Sequence, residues 1–206
     1  MSVTAPCRLG VLVSGNGTNL QAIIDRIESG DIRAEIACVI SNKADAYALT
    51  RASRHGIPVV VHENIRFSER RSYDAETVRI LGSFNVDLVI LAGFMRILSD
   101  VMVSAFPNAI MNIHPALLPS FPGLHAQQQA LDYGVRFSGC TVHFVDGGTD
   151  TGPIILQSVV TVEQHDTEET LSARIQNAEH QAFAEAIRLF VEGKITVVGR
   201  KVRIAG

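Results

Sequence analysis

Residues 109–115, Ala-Ile-Met-Asn-Ile-His-Pro, join a short apolar run to an amide, an imidazole and a proline. The run at 109–111 is typical of a buried strand, and Pro115 ends that strand. Residues two apart in a strand point to the same side, so Asn112 and His114 are expected to share one space. An amide donor beside a group that exchanges protons near neutral pH indicates acyl-group chemistry.

Around this strand, apolar runs of strand length alternate with segments of helical period. This alternation predicts an α/β fold, a Rossmann-like, mostly parallel central sheet with helices on both faces. Strands are expected at 9–13, 34–40, 59–61, 86–92, 140–145 and 154–162, and helices at 19–28, 45–56, 69–84, 127–133 and 167–191, with a short helix after Ser99. The tail at 195–204 has the pattern of a C-terminal hairpin. Residues 1–206 contain no repeat or linker and are interpreted as a single domain.

Composition and charge narrow the class of protein. The 206 residues are 47 % hydrophobic, have a net charge of −3 and include three cysteines in no CxxC pattern. The charge gives no electrostatic reason to expect nucleic acid as a partner. The spacing of Cys7, Cys38 and Cys140 argues against a disulfide framework and a zinc knuckle. With no signal-peptide pattern and no run of membrane-span length, the sequence predicts a cytoplasmic protein.

A glycine-rich loop, Ser-Gly-Asn-Gly-Thr-Asn at 14–19, lies between the first strand and the first helix. Its glycines allow close backbone approach, and the helix N-terminus favours an anion, so a phosphate is the natural ligand. A P-loop would need a lysine here, and a dinucleotide fingerprint would need a glycine where Leu20 stands. The loop therefore indicates a mononucleotide-type phosphate site, unless the glycines serve only the turn.

His114 differs from the other six histidines because Asn112 lies beside it at a strand end, where ligands bind in open α/β sheets. The loop at 146–153, Asp-Gly-Gly-Thr-Asp-Thr-Gly-Pro, supplies two acids. Asp146 and Asp150 either cap their own turns or serve the site. If Asp150 reaches His114, its charge favours the imidazolium, while Asn112 donates a hydrogen bond to a developing oxyanion.

Two competing chemistries have weaker support. A zinc hydrolase could draw its ligands from four residues of suitable type: His114, His125, His143 and Asp150. The sequence has no HExxH motif and no paired cysteines, so no metal is expected. A serine nucleophile is disfavoured because no G-x-S-x-G elbow occurs.

Several blocks of this sequence together resemble the phosphoribosylglycinamide formyltransferases, the folate-dependent enzymes of de novo purine synthesis. These blocks are Ser14-Gly-Asn-Gly-Thr-Asn-Leu-Gln-Ala-Ile, Ser41-Asn-Lys-Ala-Asp, Leu91-Ala-Gly-Phe-Met-Arg-Ile-Leu, Asn112-Ile-His-Pro-Ala-Leu-Leu-Pro, Pro122-Gly-Leu-His and Asp150-Thr-Gly-Pro-Ile. Each block is moderately specific alone, and their order and spacing over residues 9–204 are highly specific.

The resemblance implies formyl transfer from 10-formyltetrahydrofolate, as co-substrate, to the amine of glycinamide ribonucleotide, without metal or nicotinamide. Its implied catalytic trio is Asn112, His114 and Asp150. Its implied substrate-binding residues are Gly15, Asn16, Gly17, Thr18, Asn19 and Glu179. Its implied folate-binding residues are Arg70, Met95, Arg96, Ile97, Leu98, Asn112, Asp146 and Asp150, with Thr141 and His143 in supporting positions.

The sequence departs from the family pattern at three places: Ala116 stands where many members carry serine, Gln176 stands where some members have lysine, and Gly147-Gly148-Thr149 alters the acidic loop. These changes leave the trio intact. Two relatives share the trio. Methionyl-tRNA formyltransferase adds a C-terminal domain, and formyltetrahydrofolate deformylase adds an N-terminal one. We expect neither here, since the first strand begins by Leu9 and the chain ends after a short hairpin.

The expected partners are therefore small-molecule substrates, not nucleic acid or a membrane, in a monomer or homodimer. A deformylase-like hydrolase and a non-catalytic phosphate-ligand sensor are the alternative functions.

Overall fold

The computed structural model describes residues 5–206, and the chain forms two compact units, Met1–Met111 and Asn112–Gly206. The first unit contains β1 (Cys7–Val13), α1 (Thr18–Glu28), β2 (Ala34–Ser41), α2 (Tyr47–Arg54), β3 (Val59–Val61), a 3₁₀ turn (Asn64–Arg66), α3 (Arg70–Ser83), β4 (Leu88–Leu91) and α4 (Asp100–Ala105). Strand β5 (Ile110–His114) runs from the first unit into the second. The second unit continues with α5 (Ala126–Tyr133), β6 (Phe137–Phe144), β7 (Ile154–Thr161), α6 (Glu168–Val191), β8 (Ile195–Val198) and β9 (Lys201–Ile204).

The strands of the first unit are parallel and follow the order β3-β2-β1-β4. Strand β1 is central, and its Val11 lies opposite Val39 on one side and Ile90 on the other. All three side chains are fully buried. Burial on both faces of the strands explains why residues 9–13 of β1, 36–40 of β2 and 88–91 of β4 form continuous apolar runs rather than alternating ones.

The strands of the second unit follow the order β6-β7-β9-β8, with β6–β7 antiparallel, β7–β9 parallel and β8–β9 an antiparallel hairpin. Helix α6 has 24 residues and buries eight of them. Leu171, Ile175, Phe183 and Ile187 are at most 1 % exposed. Within each of the pairs 171/175 and 183/187, the spacing of four residues places both side chains on the same side of the helix.

The expected α/β class, the parallel strands and the C-terminal hairpin are confirmed. The boundaries differ in places: α2 begins at Tyr47, β4 is shorter than the apolar run, and the 3₁₀ turn at Asn64–Arg66 was not anticipated. Strand β6 begins at Phe137 rather than at residue 140. Gly139 lies within this strand. Only glycine fits there, because a Cβ atom would be 1.9 Å from the Ser158 carbonyl oxygen of β7.

No helix among residues 5–206 is long and apolar enough to cross a bilayer.

We expect Thr167→Ala to lower the free energy of unfolding by about 1 kcal/mol, because Thr167 caps α6. The Thr167 hydroxyl accepts a hydrogen bond from the Thr170 backbone N–H, and the Thr170 hydroxyl accepts one from the Thr167 backbone N–H. Urea unfolding of the variant measures the loss. Thr50→Ala, at an exposed position inside α2, is the matched control and should cost nothing. An equal loss in both variants would contradict the capping assignment.

Candidate active site

The end of β5 lies within a buried cluster of four polar side chains in the second unit. His114 is 4 % exposed, and its Nδ1 lies 3.3 Å from Oδ2 of Asp150. Nε2 of His143 lies 3.2 Å from the Asn112 amide nitrogen and 3.7 Å from Oδ1 of Asp150. The structure therefore brings together the expected trio and one of the two supporting residues.

Both ring nitrogens of His114 have hydrogen-bond acceptors as neighbours. Nε2 donates to the carbonyl oxygen of Phe121 at 2.8 Å, and Nδ1 lies beside the Asp150 carboxylate. A neutral imidazole carries a single N–H, whereas the imidazolium carries two. The charged form would satisfy both neighbours, and the expected charge on His114 stays a prediction.

Phe121 was not anticipated as part of the site. Its carbonyl reaches His114 because the backbone at Phe121 is left-handed, with a φ of 54°. Few non-glycine residues adopt this conformation. The only sequence signal is the Pro122-Gly123 pair that follows, which marks a turn without revealing which carbonyl points inward.

His143 sets the direction of the Asn112 amide. The Nδ1–H of His143 donates to the carbonyl of Phe144 at 2.9 Å, and burial lowers the pKa of His143 below its usual value. The ring is thus neutral near pH 7, and its Nε2 lone pair accepts a hydrogen bond from the Asn112 amide nitrogen. That nitrogen keeps a second hydrogen, which is available to a substrate oxygen.

Asp150 and Asp146 have different environments in the same loop. Oδ2 of Asp150 accepts the Gly123 backbone N–H at 2.8 Å, which holds the carboxylate beside His114. Oδ1 of Asp146 accepts the Gly148 N–H at 3.0 Å and the Thr151 hydroxyl at 2.6 Å. The Asp146 side chain therefore caps its own loop, and its implied contact with folate stays a prediction.

Thr141 fixes the chain that follows β5. Its hydroxyl is fully buried, donates to the Ala116 carbonyl at 2.7 Å and accepts the Leu118 N–H at 3.0 Å. The Gln157 side chain of β7 bonds both that hydroxyl and the Leu118 carbonyl. Thr141 thus supports the site by holding the backbone just after Pro115.

Glu179, on α6, is half-buried and approaches β6. Burial raises the pKa of the Cys140 thiol to about 12, and the charge of Glu179 contributes to the rise. Burial also raises the pKa of Cys38 to about 11. Both thiols stay protonated at neutral pH, so neither is a thiolate nucleophile.

The glycine-rich loop of the first unit has three consecutive carbonyls bonded to neighbouring helices. The Gly15 carbonyl accepts the Ala48 N–H at 3.0 Å, the Asn16 carbonyl accepts Nε of Arg51 at 2.9 Å, and the Gly17 carbonyl accepts the Gln21 N–H at 3.0 Å. In a trans peptide, each carbonyl is antiparallel to the next N–H. The N–H groups of Asn16, Gly17 and Thr18 therefore point away from these bonds, an arrangement that suits an anion.

Gly17 is required at its position for two reasons. Its backbone is left-handed, with a φ of 77°, and a Cβ atom there would lie 2.6 Å from the Ala48 Cβ. Any side chain would push the loop away from α2. This close approach explains the second glycine of the motif better than a generic turn does.

The implied folate segment, in the same unit, has exposed apolar side chains: Met95 is 68 % and Ile97 57 % exposed. The Met95 N–H donates to the Ser14 hydroxyl at 2.9 Å, and that hydroxyl donates to Oδ1 of Asn42 at 2.6 Å. The Arg96 guanidinium stacks 4.4 Å from the centre of the Tyr73 ring. Leu98 is half-buried, and Arg70 is exposed at the first turn of α3. Large exposed apolar side chains on an anchored backbone are typical of a ligand surface.

Within residues 5–206, no group of three or more His, Cys, Asp or Glu side chains is arranged to hold a metal ion. His125, a ligand type in the zinc alternative, precedes α5 and is exposed.

The profile of the formyl transferase family matches residues 7–187 of this sequence. Phosphoribosylglycinamide formyltransferase of Escherichia coli is 44 % identical over 185 residues, which are 90 % of this chain and 87 % of that protein. The trifunctional purine biosynthetic protein adenosine-3 of Drosophila melanogaster is 50 % identical over 188 residues. That match covers 90 % of this chain but only 14 % of the fly protein.

Solved structures show the same likeness in three dimensions. Glycinamide ribonucleotide transformylase 1 of Symbiobacterium toebii superposes with a TM-score of 0.97 at 51 % identity, over 98 % of this chain and 95 % of that one. A formyltetrahydrofolate deformylase of Pseudomonas syringae gives 0.91 at 30 % identity, over 98 % of this chain and 66 % of that one. The expected formyltransferase fold is confirmed. The chain belongs to the formyl transferase family.

Proposed function

We propose that this chain transfers the formyl group of 10-formyltetrahydrofolate to the amine of glycinamide ribonucleotide, giving formylglycinamide ribonucleotide and tetrahydrofolate in purine synthesis. The observation that carries the proposal is the buried His114–Asp150 pair beside an Asn112 amide whose direction His143 fixes. Relatives named for this reaction and aligned over nearly the whole chain support the choice of substrates.

The phosphate of the ribonucleotide is assigned to Gly15, Asn16, Gly17, Thr18 and Asn19. The outward N–H groups of this loop and the N-terminus of α1 supply hydrogen bonds and positive potential without a lysine. Glu179 is assigned to the ribose and amine end of the same substrate. The exposed Met95 and Ile97, with Arg70, Arg96 and Leu98, are assigned to folate. Asn112, Asp146 and Asp150 complete the folate assignment.

The amine nitrogen attacks the formyl carbon directly, and the carbonyl oxygen becomes an oxyanion in the tetrahedral intermediate. The free hydrogen of the Asn112 amide donates to this oxygen, and the charge of His114 stabilises it. Because Asp150 and Phe121 occupy both N–H groups of His114, direct donation from His114 requires one of these bonds to open. The intermediate collapses as the bond from carbon to the folate nitrogen breaks. The amine proton passes to that nitrogen through water.

We further propose that residues 1–206 act as one formyltransferase domain. Two observations support this: β5 is continuous from residue 110 to residue 114, and the family match spans residues 7–187. A cytoplasmic location fits the three free cysteines, which a reducing compartment preserves. A monomer or homodimer that binds small molecules, with no nucleic acid or membrane partner, remains our prediction.

A deformylase is the second candidate, because a formyltetrahydrofolate deformylase also superposes closely on the chain. In that reaction water replaces the amine and the same trio serves. The loop at 15–19 favours the transferase, since an anion site is useful to a phosphorylated acceptor and of no use to water. A phosphate-ligand sensor explains that loop but gives no role to the His114–Asp150 pair.

An assay with purified protein separates these functions. Glycinamide ribonucleotide and 10-formyltetrahydrofolate are mixed with the enzyme, and the absorbance of the tetrahydrofolate product is followed with and without EDTA. We expect turnover that requires the ribonucleotide and is insensitive to EDTA. Turnover without the ribonucleotide would indicate a deformylase, and binding without turnover would indicate a sensor. Loss of turnover in EDTA would indicate a metal enzyme.

We expect Asn112→Ala and His114→Ala each to lower kcat by roughly 10²–10³, the usual cost of losing an oxyanion stabiliser. The single-turnover rate and circular dichroism of each variant distinguish lost chemistry from lost folding. His165→Ala, in the exposed loop before α6, is the matched histidine control and should keep the parent rate. A near-parent kcat in either site variant would overturn the assignment.

His143 should make the free energy of unfolding depend on pH. Burial lowers its folded pKa below the ordinary value of 6.5, so the unfolded chain binds the proton at a higher pH than the folded chain does. As pH falls from about 6.5 to the folded pKa, the unfolded state binds more protons and stability falls. Above pH 6.5 this contribution is constant.

Urea unfolding of the parent and of His143→Gln between pH 5 and pH 7.5 measures this contribution. We expect the variant to lose less stability than the parent as pH decreases. His165→Gln serves as the control and should follow the parent. Identical slopes in the parent and in His143→Gln would show that burial does not lower the pKa of His143.

A further inference from the structure

Arg51 is the one side chain of α2 that bonds the interior of the glycine-rich loop through two donors. Its Nε donates to the Asn16 carbonyl at 2.9 Å, and its Nη2 donates to the Asn16 side-chain Oδ1 at 2.9 Å. The planar guanidinium thus holds the backbone and the side chain of one residue at once. A fork of this geometry is particular to arginine.

The bond to the Asn16 carbonyl fixes the peptide plane between residues 16 and 17. Because the carbonyl and the following N–H are antiparallel, this bond directs the N–H of Gly17 away from α2. The two adjacent planes have backbone partners, Ala48 and Gln21, which hydrogen-bond the Gly15 and Gly17 carbonyls. The middle plane alone depends on a side chain. Its direction is therefore the one that a single substitution can release.

The position of Arg51 is itself fixed by stacking. Its guanidinium carbon lies 4.9 Å from the centre of the Tyr47 ring, and Nη1 lies 3.4 Å from Oε1 of Gln21. Arg54 approaches the same ring at 5.8 Å and donates to the Tyr47 hydroxyl at 3.1 Å, and neither of these contacts involves the loop. A cavity of about 510 Å³ borders this part of the loop, and its lining includes Asn16, Tyr47 and Arg51.

We propose that Arg51 is a positioning residue for the phosphate site, which sets the affinity for the phosphorylated substrate without touching the reacting atoms. The inference rests on the proposed function, in which the loop at 15–19 binds the ribonucleotide phosphate. It extends the site to α2, an element outside the glycine motif. Without the two hydrogen bonds from Arg51, the plane of the 16–17 peptide can rotate. Its N–H then no longer points to the same place as the neighbouring N–H groups, which an anion must contact together.

The test is steady-state kinetics of Arg51→Met and Arg51→Lys, with Arg54→Met as the matched control. We expect the KM for glycinamide ribonucleotide to rise about 10- to 100-fold in both Arg51 variants, the loss typical of charge-assisted hydrogen bonds. The KM for 10-formyltetrahydrofolate and kcat should stay within about threefold of the parent. Arg54→Met should match the parent throughout.

Arg51→Lys separates positioning from simple attraction, because lysine keeps the charge but cannot form the fork. A parent-like KM in Arg51→Lys, or in Arg51→Met, would overturn the inference. So would an equal loss in kcat and in both KM values, since that pattern indicates general structural damage.

Calorimetric titration with inorganic phosphate tests the same point without turnover. We expect parent protein to bind phosphate and both Arg51 variants to bind it at least tenfold more weakly, with melting curves that show all proteins folded. Equal phosphate affinity in parent and variants overturns the role of Arg51. A parent that binds phosphate but transfers no formyl group overturns the proposed function and leaves the phosphate comparison intact.

Discussion

The contact between the His114 imidazole and the Asp150 carboxylate is the interaction on which the chemistry proposed for this chain depends. An isolated charge is costly to bury, so each partner needs the other and further hydrogen bonds. The Phe121 carbonyl satisfies the second nitrogen of His114, and the Gly123 N–H satisfies the carboxylate. The loops before α5 and before β7 are thereby tied to the end of β5. In the proposed reaction, the formyl carbonyl would meet polar groups that are already held in position.

The loop at 15–19, to which we assign the substrate phosphate, is also held by hydrogen bonds, here with N–H groups left free for an anion. Anion binding needs several N–H groups aimed at one point, and the backbone provides them only if its carbonyls are bonded elsewhere. Helices α1 and α2 supply those bonds at Gly15, Asn16 and Gly17. In each candidate site, the groups proposed to bind the ligand are therefore held in place by hydrogen bonds on the side that faces away from it. In one site the contacts hold a side-chain charge, and in the other they hold peptide planes.

Much of the fold could be predicted because continuous apolar strands and amphipathic helices leave strong periodic signals. The pairing of Asn112 with His114 follows from strand alternation alone. Three features of the two candidate sites could not be predicted. The carbonyl of Phe121 is directed by a left-handed backbone, the His143 ring is oriented by the Phe144 carbonyl, and Arg51 reaches a loop 35 positions earlier. Backbone direction and long-range contacts leave no local pattern, so sequence reasoning gave His143 only a supporting place through resemblance.

The sequence by itself determined the α/β class, the residues able to carry charge and donate hydrogen bonds, and the glycines that permit a tight anion loop, because these depend on residue type and short-range spacing. Only the tertiary structure decided which acid meets His114. Asp146 and Asp150 are both acids near a glycine in one loop, yet Asp146 caps its own turn while Asp150 enters the buried cluster. Their difference arises from the path of the chain, since a hydrogen bond forms only where folding brings donor and acceptor within about 3 Å.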